Sequence, residues 1–216
     1  LADNIPPAAG FKRQSVKTPL GTFSVSIVAA DLGNTRVIVD TASNGDCSND
    51  CPVLSLRDYV TRNNAFAGIN GAYFCPKDYA SCAGKTNTFD TLLMDKDKTY
   101  FNSANNGYST VPTVIFGSGW TRFVKQSLEW GRDTGVDGVI ANYPLLTFNN
   151  AIEFAGSGEV KLNNKGGRSF VGATGSTVYI GVVHSATVME AAHVMQALGI
   201  PNSLHLDDGG STALWS

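Results

Sequence analysis

The stretch SLHLDDGGSTALWS, residues 203–216, places two carboxylates, two glycines and two hydroxyls side by side: Asp207, Asp208, Gly209, Gly210, Ser211 and Thr212. Its alternating start predicts a strand, in which residues two apart share a face, so we expect His205 and Asp207 to point the same way. Consecutive glycines permit positive φ angles, so their N–H groups can converge on an anion, and the hydroxyls add donors. A carboxylate beside such an anion site suits a ligand that is partly phosphate. An ordinary Asp-Gly turn is the alternative.

A polar residue interrupts the apolar stretch AGINGAYF, residues 67–74. Asn70 needs partners for up to four hydrogen bonds if it is buried. It therefore either locks a neighbouring loop or reaches the hydroxyls of a ligand. Gly71, which follows it, lets a ligand or another backbone come close.

Two further side chains lie at predicted strand ends. Arg168 begins the strand of GGRSFVG, residues 166–172, and its guanidinium fork suits a phosphate; an ordinary solvated arginine is the alternative. His184 ends the strand TVYIGVVH, residues 177–184, where it is either a general acid or base or a polar strand end.

Composition and charge limit the function classes. The chain has 216 residues, 43% of them hydrophobic and 16% charged, with a formal net charge of −2 and no basic block. This balance argues against nucleic acid or an anionic membrane surface as a partner. No apolar run reaches the ~20 residues that span a bilayer. We expect a globular protein with a sizeable core, no membrane span, no bound metal and no cofactor.

The four cysteines, Cys47, Cys51, Cys75 and Cys82, lie in two loops. A zinc site is one interpretation, but C-x2-C pairs are missing and no histidine lies in this region. We predict the local disulfides Cys47–Cys51 and Cys75–Cys82, and with them a secreted or extracytoplasmic protein. No Asn-x-Ser/Thr sequon occurs, which favours a bacterial source.

Hydrophobic periodicity predicts strands divided by turns, with two short helices. We predict a hairpin of residues 21–30 with 35–40, and a second hairpin of residues 168–174 with 177–184. The first helix is predicted at 54–65 with Ser55 as N-cap, and the second at 187–198 with a Thr187 and Glu190 capping box. Further strands are predicted near 65–74, 91–101, 109–117, 136–148 and 203–206.

These elements predict one α+β domain with a central, mostly antiparallel or mixed β-sheet and a few packed helices. Residues 1–19 contain prolines and little periodicity, so we expect an N-terminal extension there and the domain at 20–216.

Three stretches, in this order, resemble motifs of the phosphodiester glycosidase family, the family of the uncovering-enzyme domain: AGINGAYF, GRSFVG and LHLDDGGSTAL. VIANYPLLTFNNAIEF, residues 139–154, is similar to that family's Pro-Leu-Leu segment, so the likeness covers residues 20–216. The family pattern usually reads Asn-Leu-Asp-Gly-Gly-Gly-Ser; here His205 replaces the Asn and Asp208 the first Gly. The positions that match family motifs are Asn70, Arg168, Asp207, Gly209, Gly210 and Ser211.

The resemblance implies hydrolysis of a phosphorylated glycan or sugar-1-phosphodiester at the anomeric carbon of the sugar. Arg168 and the amides of Gly209 and Gly210 are then expected to hold the phosphate, since charge-assisted contacts are strong. Asn70 is expected to orient the sugar hydroxyls.

In the same interpretation Asp207 faces the anomeric carbon, as base for water or as nucleophile. Asp208 or His184 takes the complementary proton role. A phosphomonoester is a good leaving group, so strong help from a general acid is less necessary than for an ordinary glycoside.

Three other functions stay open. Asp207, Asp208 and a histidine could bind a divalent ion in a phosphodiesterase that cleaves the P–O bond. A serine hydrolase would use Ser211 with His205 or His184 and with Asp207, although the G-x-S-x-G elbow is absent. A glycan-binding or cell-wall module without activity would use the tyrosines and tryptophans for sugar stacking.

Overall fold

Antiparallel sheets dominate the computed structural model, which describes residues 1–101 and 110–216. The helices are α1 (Leu56–Arg62), α2 (Val160–Asn163) and α3 (Val188–Ala197). The strands are β1 (Gly10–Thr18), β2 (Gly21–Asp31), β3 (Gly68–Ile69), β4 (Leu93–Met94), β5 (Tyr100–Phe101), β6 (Thr113–Gly117), β7 (Trp120–Val124), β8 (Gly138–Ala141), β9 (Leu145–Phe148), β10 (Ala151–Ile152), β11 (Gly166–Thr174), β12 (Thr177–Ala186), β13 (Asn202–Asp208) and β14 (Leu214–Trp215).

The largest sheet has seven strands in the order β1-β2-β12-β11-β13-β9-β10. A second sheet has the order β5-β4-β8-β6-β7, and β14 pairs with β3 in a separate ribbon. The predicted α+β class with a mostly antiparallel sheet is confirmed. The predicted hairpin of β11 with β12 is also confirmed, with Gly175 at φ +57° in its turn.

The predicted hairpin of residues 21–30 with 35–40 is wrong. One edge of β2 pairs with β1 and the other with β12, so neither edge is open to a further strand. Residues 35–40 form no strand; Val37 and Val39 instead pack into the apolar layer between the two large sheets.

Strand β1 lies within the residues expected to form an extension. It pairs with β2 along its whole length, from Gly10 opposite Ala29 to Thr18 opposite Gly21. Residues 10–18 therefore belong to the sheet, while the division at residue 19 stays a prediction.

Both predicted helices are present with their capping boxes. Ser55 caps α1, and its hydroxyl accepts the Asp58 N–H. Thr187 caps α3 in the same way through Glu190. Each box satisfies N–H groups that the first helical turn leaves without carbonyl partners, which fixes where the helix begins.

Apolar side chains fill three layers. Phe170 and Met195 belong to the cluster that joins the seven-stranded sheet to α3. Val171 and Leu204 belong to the cluster shared with the five-stranded sheet, where Val114 contributes. A third cluster lies on the other face of the five-stranded sheet. Neighbouring residues of β11 thus serve opposite layers, as the two-residue period of a strand requires.

Both predicted disulfides are present, Cys47–Cys51 and Cys75–Cys82. Their two loops also bond to each other, because the Thr86 N–H donates to the Asn49 side chain at 2.9 Å. Within the described ranges, no helix has the length and apolar character needed to cross a bilayer.

Gly181 on β12 tests the packing of the seven-stranded sheet. A Cβ there would lie 2.5 Å from the Ser26 carbonyl oxygen and 2.7 Å from the Phe170 ring. Gly181→Ala is expected to lower the free energy of unfolding by roughly 2–3 kcal/mol, measured by urea denaturation. Gly158→Ala is the matched control, because a Cβ at Gly158 meets nothing within 4 Å. Equal stability of the two variants would contradict this packing.

Candidate active site

An extra residue in β13 shapes the end of the sheet where the predicted site residues lie. Phe170 of β11 pairs with His205, but Arg168, two residues earlier, pairs with Asp208, three residues later. This bulge breaks the strict alternation of side chains. His205 consequently lies against Asp208, with Nε2 3.2 Å from Oδ2, and not on the same side as Asp207 as the sequence pattern predicted.

Arg168 is almost completely buried, and most of its N–H groups have partners. Nε donates to the Ala186 carbonyl at 2.9 Å, and one terminal nitrogen donates to Asp208. The other terminal nitrogen donates to the carbonyls of Lys161 and Asn164. Four of the five donors of a guanidinium are therefore engaged within the protein. Arg168 holds Asp208 and the turn of α2 in place.

Asp208 stays ionised although it is partly buried. Burial raises its pKa, but the His205 imidazole and the Arg168 guanidinium outweigh this effect and hold the pKa below its usual value. Its Oδ2 atom contacts both of these side chains. Asp208 is thus a fixed negative charge at the end of the sheet.

The pKa of Asp207, the residue before Asp208, is shifted in the opposite direction. Burial raises its pKa from 3.8 to about 6, and the charge of Asp208 adds to the rise. Hydrogen bonds from the Ser211 side chain and the Asp208 N–H, with the Lys161 charge, act against it. A carboxylate with a pKa near 6 is ionised at pH 7 yet accepts a proton more readily than an ordinary aspartate, which suits a general base.

Asn70 ties three segments together. Its Oδ1 accepts the Ser169 hydroxyl at 2.7 Å and the Ala213 N–H at 3.1 Å, and its Nδ2 donates to the Asp207 carbonyl at 2.7 Å. One N–H of the amide remains for another partner. These contacts correspond to the locking role that the sequence left open. Gly71 contributes to the same connection between the two segments, because its carbonyl accepts the Asp207 N–H at 2.9 Å.

The turn after β13 carries the predicted anion-binding residues. Gly209 and Gly210 are exposed, and Gly209 has φ +59°. A Cβ at either glycine would meet nothing within 4 Å, so there is room above this turn. Ser211 lies at its end, and the Thr212 hydroxyl donates to the Gly167 carbonyl at 3.2 Å.

His184 lines a cavity that neither aspartate lines. Its Nε2 is 2.9 Å from the Ser26 hydroxyl, and burial lowers its pKa. It lines a cavity with Phe11 and Trp215, and Thr212 is the one other predicted site residue there.

Three side chains at the site were not predicted from the sequence. The Lys161 ammonium lies 4.5 Å from the centre of the Tyr73 ring and 5.2 Å from that of Tyr143, and 3.2 Å from the Tyr143 hydroxyl. Lys161 is half-exposed, and its ammonium lies 3.6 Å from Glu159. Tyr143 also lines a cavity of about 330 Å³, together with Pro144 and Phe154.

The sequence carries a weak signal for two of these residues. Tyr73 lies in AGINGAYF and Tyr143 immediately precedes the Pro-Leu-Leu segment, so both are in stretches that carry the family resemblance. Lys161 lies in a stretch without any motif. Only the folding of α2 against β11 brings it to the site.

In the described parts of the chain, no three His, Cys, Asp or Glu side chains are grouped so that they could hold a metal ion.

Comparisons with known proteins show the family of this chain. The family model for phosphodiester glycosidase matches residues 63–216, and the chain belongs to that family. A search of curated protein sequences found no match.

Solved structures share the fold at low sequence identity. The catalytic domain of zebrafish N-acetylglucosamine-1-phosphodiester alpha-N-acetylglucosaminidase, auto-inhibited by its pro-peptide, has a TM-score of 0.71 at 13% identity, over 99% of this chain and 76% of that one. A hypothetical protein from Synechocystis has a TM-score of 0.63 at 13% identity, over 94% and 57%. A Burkholderia pseudomallei protein classed as exported has a TM-score of 0.51 at 12% identity, over 89% and 69%.

The raised pKa of Asp207 makes stability depend on pH. The folded carboxyl keeps its proton up to about pH 6, whereas the unfolded chain releases it near 3.8. The folded state therefore binds more protons in this window, and the free energy of unfolding falls as pH rises through it. Asp207→Asn, which cannot ionise, is expected to gain roughly 2–3 kcal/mol on wild type as pH rises from about 4 to about 7.

Urea denaturation at several pH values measures this difference. Asp31→Asn is the control, because Asp31 is exposed at the far end of β2. A gap between Asp207→Asn and wild type that stays constant with pH would contradict the raised pKa.

Proposed function

We propose that this protein hydrolyses the anomeric C–O bond of a sugar-1-phosphodiester, with Asp207 as the base or nucleophile. The observation that carries the proposal is the contrast between two adjacent carboxylates, Asp208 held ionised by buried partners and Asp207 with a pKa near 6. Membership of the phosphodiester glycosidase family supports the reaction class.

Lys161 is the cation best placed to contact the phosphate. Arg168, which the sequence favoured for this role, is buried and bonded to Asp208 and to main-chain carbonyls. The Lys161 ammonium reaches the same cluster from the open side, over the rings of Tyr73 and Tyr143. In the proposal Lys161 and the amides of Gly209 and Gly210 bind phosphate, and Arg168 positions Asp208.

The reaction needs a base more than an acid. A water molecule attacks the anomeric carbon and gives its proton to Asp207, while the C–O bond breaks and its electron pair leaves with the phosphomonoester. The leaving group is already a stable anion, so it needs little protonation. If Asp207 is instead the nucleophile, a glycosyl ester forms first and water then hydrolyses it, which retains the anomeric configuration.

The remaining site residues have supporting roles. Asn70 has one N–H left for a sugar hydroxyl, in addition to the contacts that lock the loop. The cavity beside Tyr143 gives room for a further part of a phosphorylated glycan. His184, expected to be an acid or base, has no role in the proposal, because it lines a cavity that neither aspartate lines. The disulfides support an extracytoplasmic, secreted protein.

Hydrolysis in ¹⁸O-labelled water tests the proposed bond cleavage. A panel of sugar-1-phosphodiesters is incubated with the protein, and the products are identified by mass spectrometry and NMR. The label is expected in the anomeric hydroxyl of the free sugar. Label in the phosphate, with activity lost in chelator, would instead show a metal-dependent phosphodiesterase. Binding of the panel without turnover would show a glycan-binding module.

Asp207→Asn tests the base. Because a positioned general base contributes about 10²–10⁴ in rate, kcat is expected to fall by at least a hundredfold. In wild type, kcat/KM is expected to fall as pH drops through about 6, since Asp207 is then protonated. Asp31→Asn should keep the wild-type rate. Wild-type turnover by a folded Asp207→Asn variant would refute the assignment.

Lys161→Met tests the phosphate contact and keeps the apolar stem over the tyrosine rings. A charge-assisted contact contributes about 1.5–3 kcal/mol, so kcat/KM is expected to fall roughly tenfold or more. Lys17→Met, on the exposed side of β1, is the matched control. Equal kinetics for the two variants would exclude Lys161 from phosphate binding.

A further inference from the structure

His205 is completely buried, and both nitrogens of its ring contact polar groups. Nδ1 lies 3.0 Å from the Tyr73 hydroxyl and 3.3 Å from the Tyr143 carbonyl oxygen. Nε2 lies 3.2 Å from Asp208 Oδ2. The hydrogen bonds at Nδ1 and the contact at Nε2 place this buried imidazole between Tyr73 and Asp208.

Each ring nitrogen of His205 faces an oxygen that only accepts hydrogen bonds, the Tyr143 carbonyl oxygen at Nδ1 and Asp208 Oδ2 at Nε2. Asp208 is ionised, because Arg168 also contacts its Oδ2. A carboxylate only accepts hydrogen bonds, and the 3.2 Å approach of Nε2 to Oδ2 is a close polar contact whose angle lies outside hydrogen-bond geometry. Nδ1 faces the Tyr143 carbonyl oxygen, which only accepts, and the Tyr73 hydroxyl, which can donate or accept.

Asp208 in turn lies beside Asp207, to whose Oδ1 its own N–H donates at 2.9 Å. The charged and titratable groups around Asp207 come from several segments: Asp208 and His205 on β13, Lys161 on α2, Arg168 on β11 and Tyr73 after β3. Lys161 favours the ionised form of Asp207 and Asp208 disfavours it.

Removal of the Asp208 charge would lower the pKa of Asp207 in two ways. Asp207 would lose its negative neighbour, and the buried Arg168 guanidinium would lose the carboxylate that neutralises it. Both changes favour the ionised form of Asp207 and weaken it as a base.

We propose that His205 and Asp208 form a buried positioning pair, a fixed negative charge with its imidazole partner, that makes Asp207 a stronger base. The role of this pair in catalysis rests on the proposed hydrolysis. Its effect on the ionisation of Asp207 can be tested without substrate. The phosphodiester glycosidase pattern has Asn and Gly at these two positions, so the pair distinguishes this chain from that pattern.

The substrate-free test is a ¹³C NMR titration of the aspartate carboxyl carbons in the intact chain, with Asp207 assigned from the Asp207→Asn spectrum. The Asp207 midpoint is expected to fall by about one pH unit in Asp208→Asn and to be unchanged in Asp31→Asn. In His205→Asn, Asp208 loses its imidazole partner, so its own midpoint is expected to rise. An unmoved Asp207 in a folded Asp208→Asn variant, or an unmoved Asp208 in His205→Asn, would overturn the pair.

The kinetic test is the pH profile of kcat/KM. The acid limb of Asp208→Asn is expected about one pH unit below that of wild type, with a lower plateau because the base is weaker. A variant that loses activity at every pH with an unmoved limb would overturn the effect on catalysis. If the NMR midpoints move as expected but wild type turns over no sugar-1-phosphodiester, the charge effect stands and the proposed hydrolysis fails.

Discussion

The buried ion pair of Arg168 and Asp208 is the interaction on which this end of the molecule depends. A guanidinium without solvent is costly unless its N–H groups and its charge are both compensated. Here a carboxylate from β13, a strand-end carbonyl from β12 and two carbonyls from the turn of α2 provide that compensation. Three parts of the chain that are distant in sequence are thereby held at fixed positions around one side chain.

That pair also explains how two consecutive aspartates acquire opposite properties. The bulge in β13 directs Asp208 toward Arg168 and His205, which favour its ionised form. Asp207 is left with burial and a like-charged neighbour, both of which favour its protonated form. Adjacent carboxyl groups whose environments separate their pKa values are typical of acid–base sites. In a regular strand Asp207, two residues from His205, would lie on the histidine's face in place of Asp208.

The sequence predicted much of the fold because local signals and tertiary packing agree there. Both capping boxes, the β11–β12 hairpin and β13 follow from residue types within a few positions of one another. The hairpin of 21–30 with 35–40 failed because the alternation of TRVIVD is a local signal, whereas strand pairing depends on which edges are already occupied. Strand β1 was missed as well, because residues 1–19 have little periodicity and it is the pairing with β2 that makes this segment a strand.

The sequence indicated residues that lie close together in the structure, but it did not indicate their contacts. The motifs named Asn70, Arg168 and Asp207, and these residues do lie within one connected group. No sequence rule shows that Arg168 is already bonded to main-chain carbonyls, or that a bulge brings His205 to Asp208. Lys161 reaches the site only through the packing of α2, a four-residue helix without any periodic signal.

Lys161 has two separate sets of contacts, one through its main-chain carbonyl and one through its side chain. Its carbonyl oxygen accepts from the buried guanidinium, and its side chain lies outside over the tyrosine rings. Every amino acid offers the same carbonyl, so position 161 is free to change its side chain without loosening the framework behind it. Ligand binding and structural support are thus separate at this position. A substitution of the side chain can change which ligands bind while the hydrogen bond to Arg168 is kept.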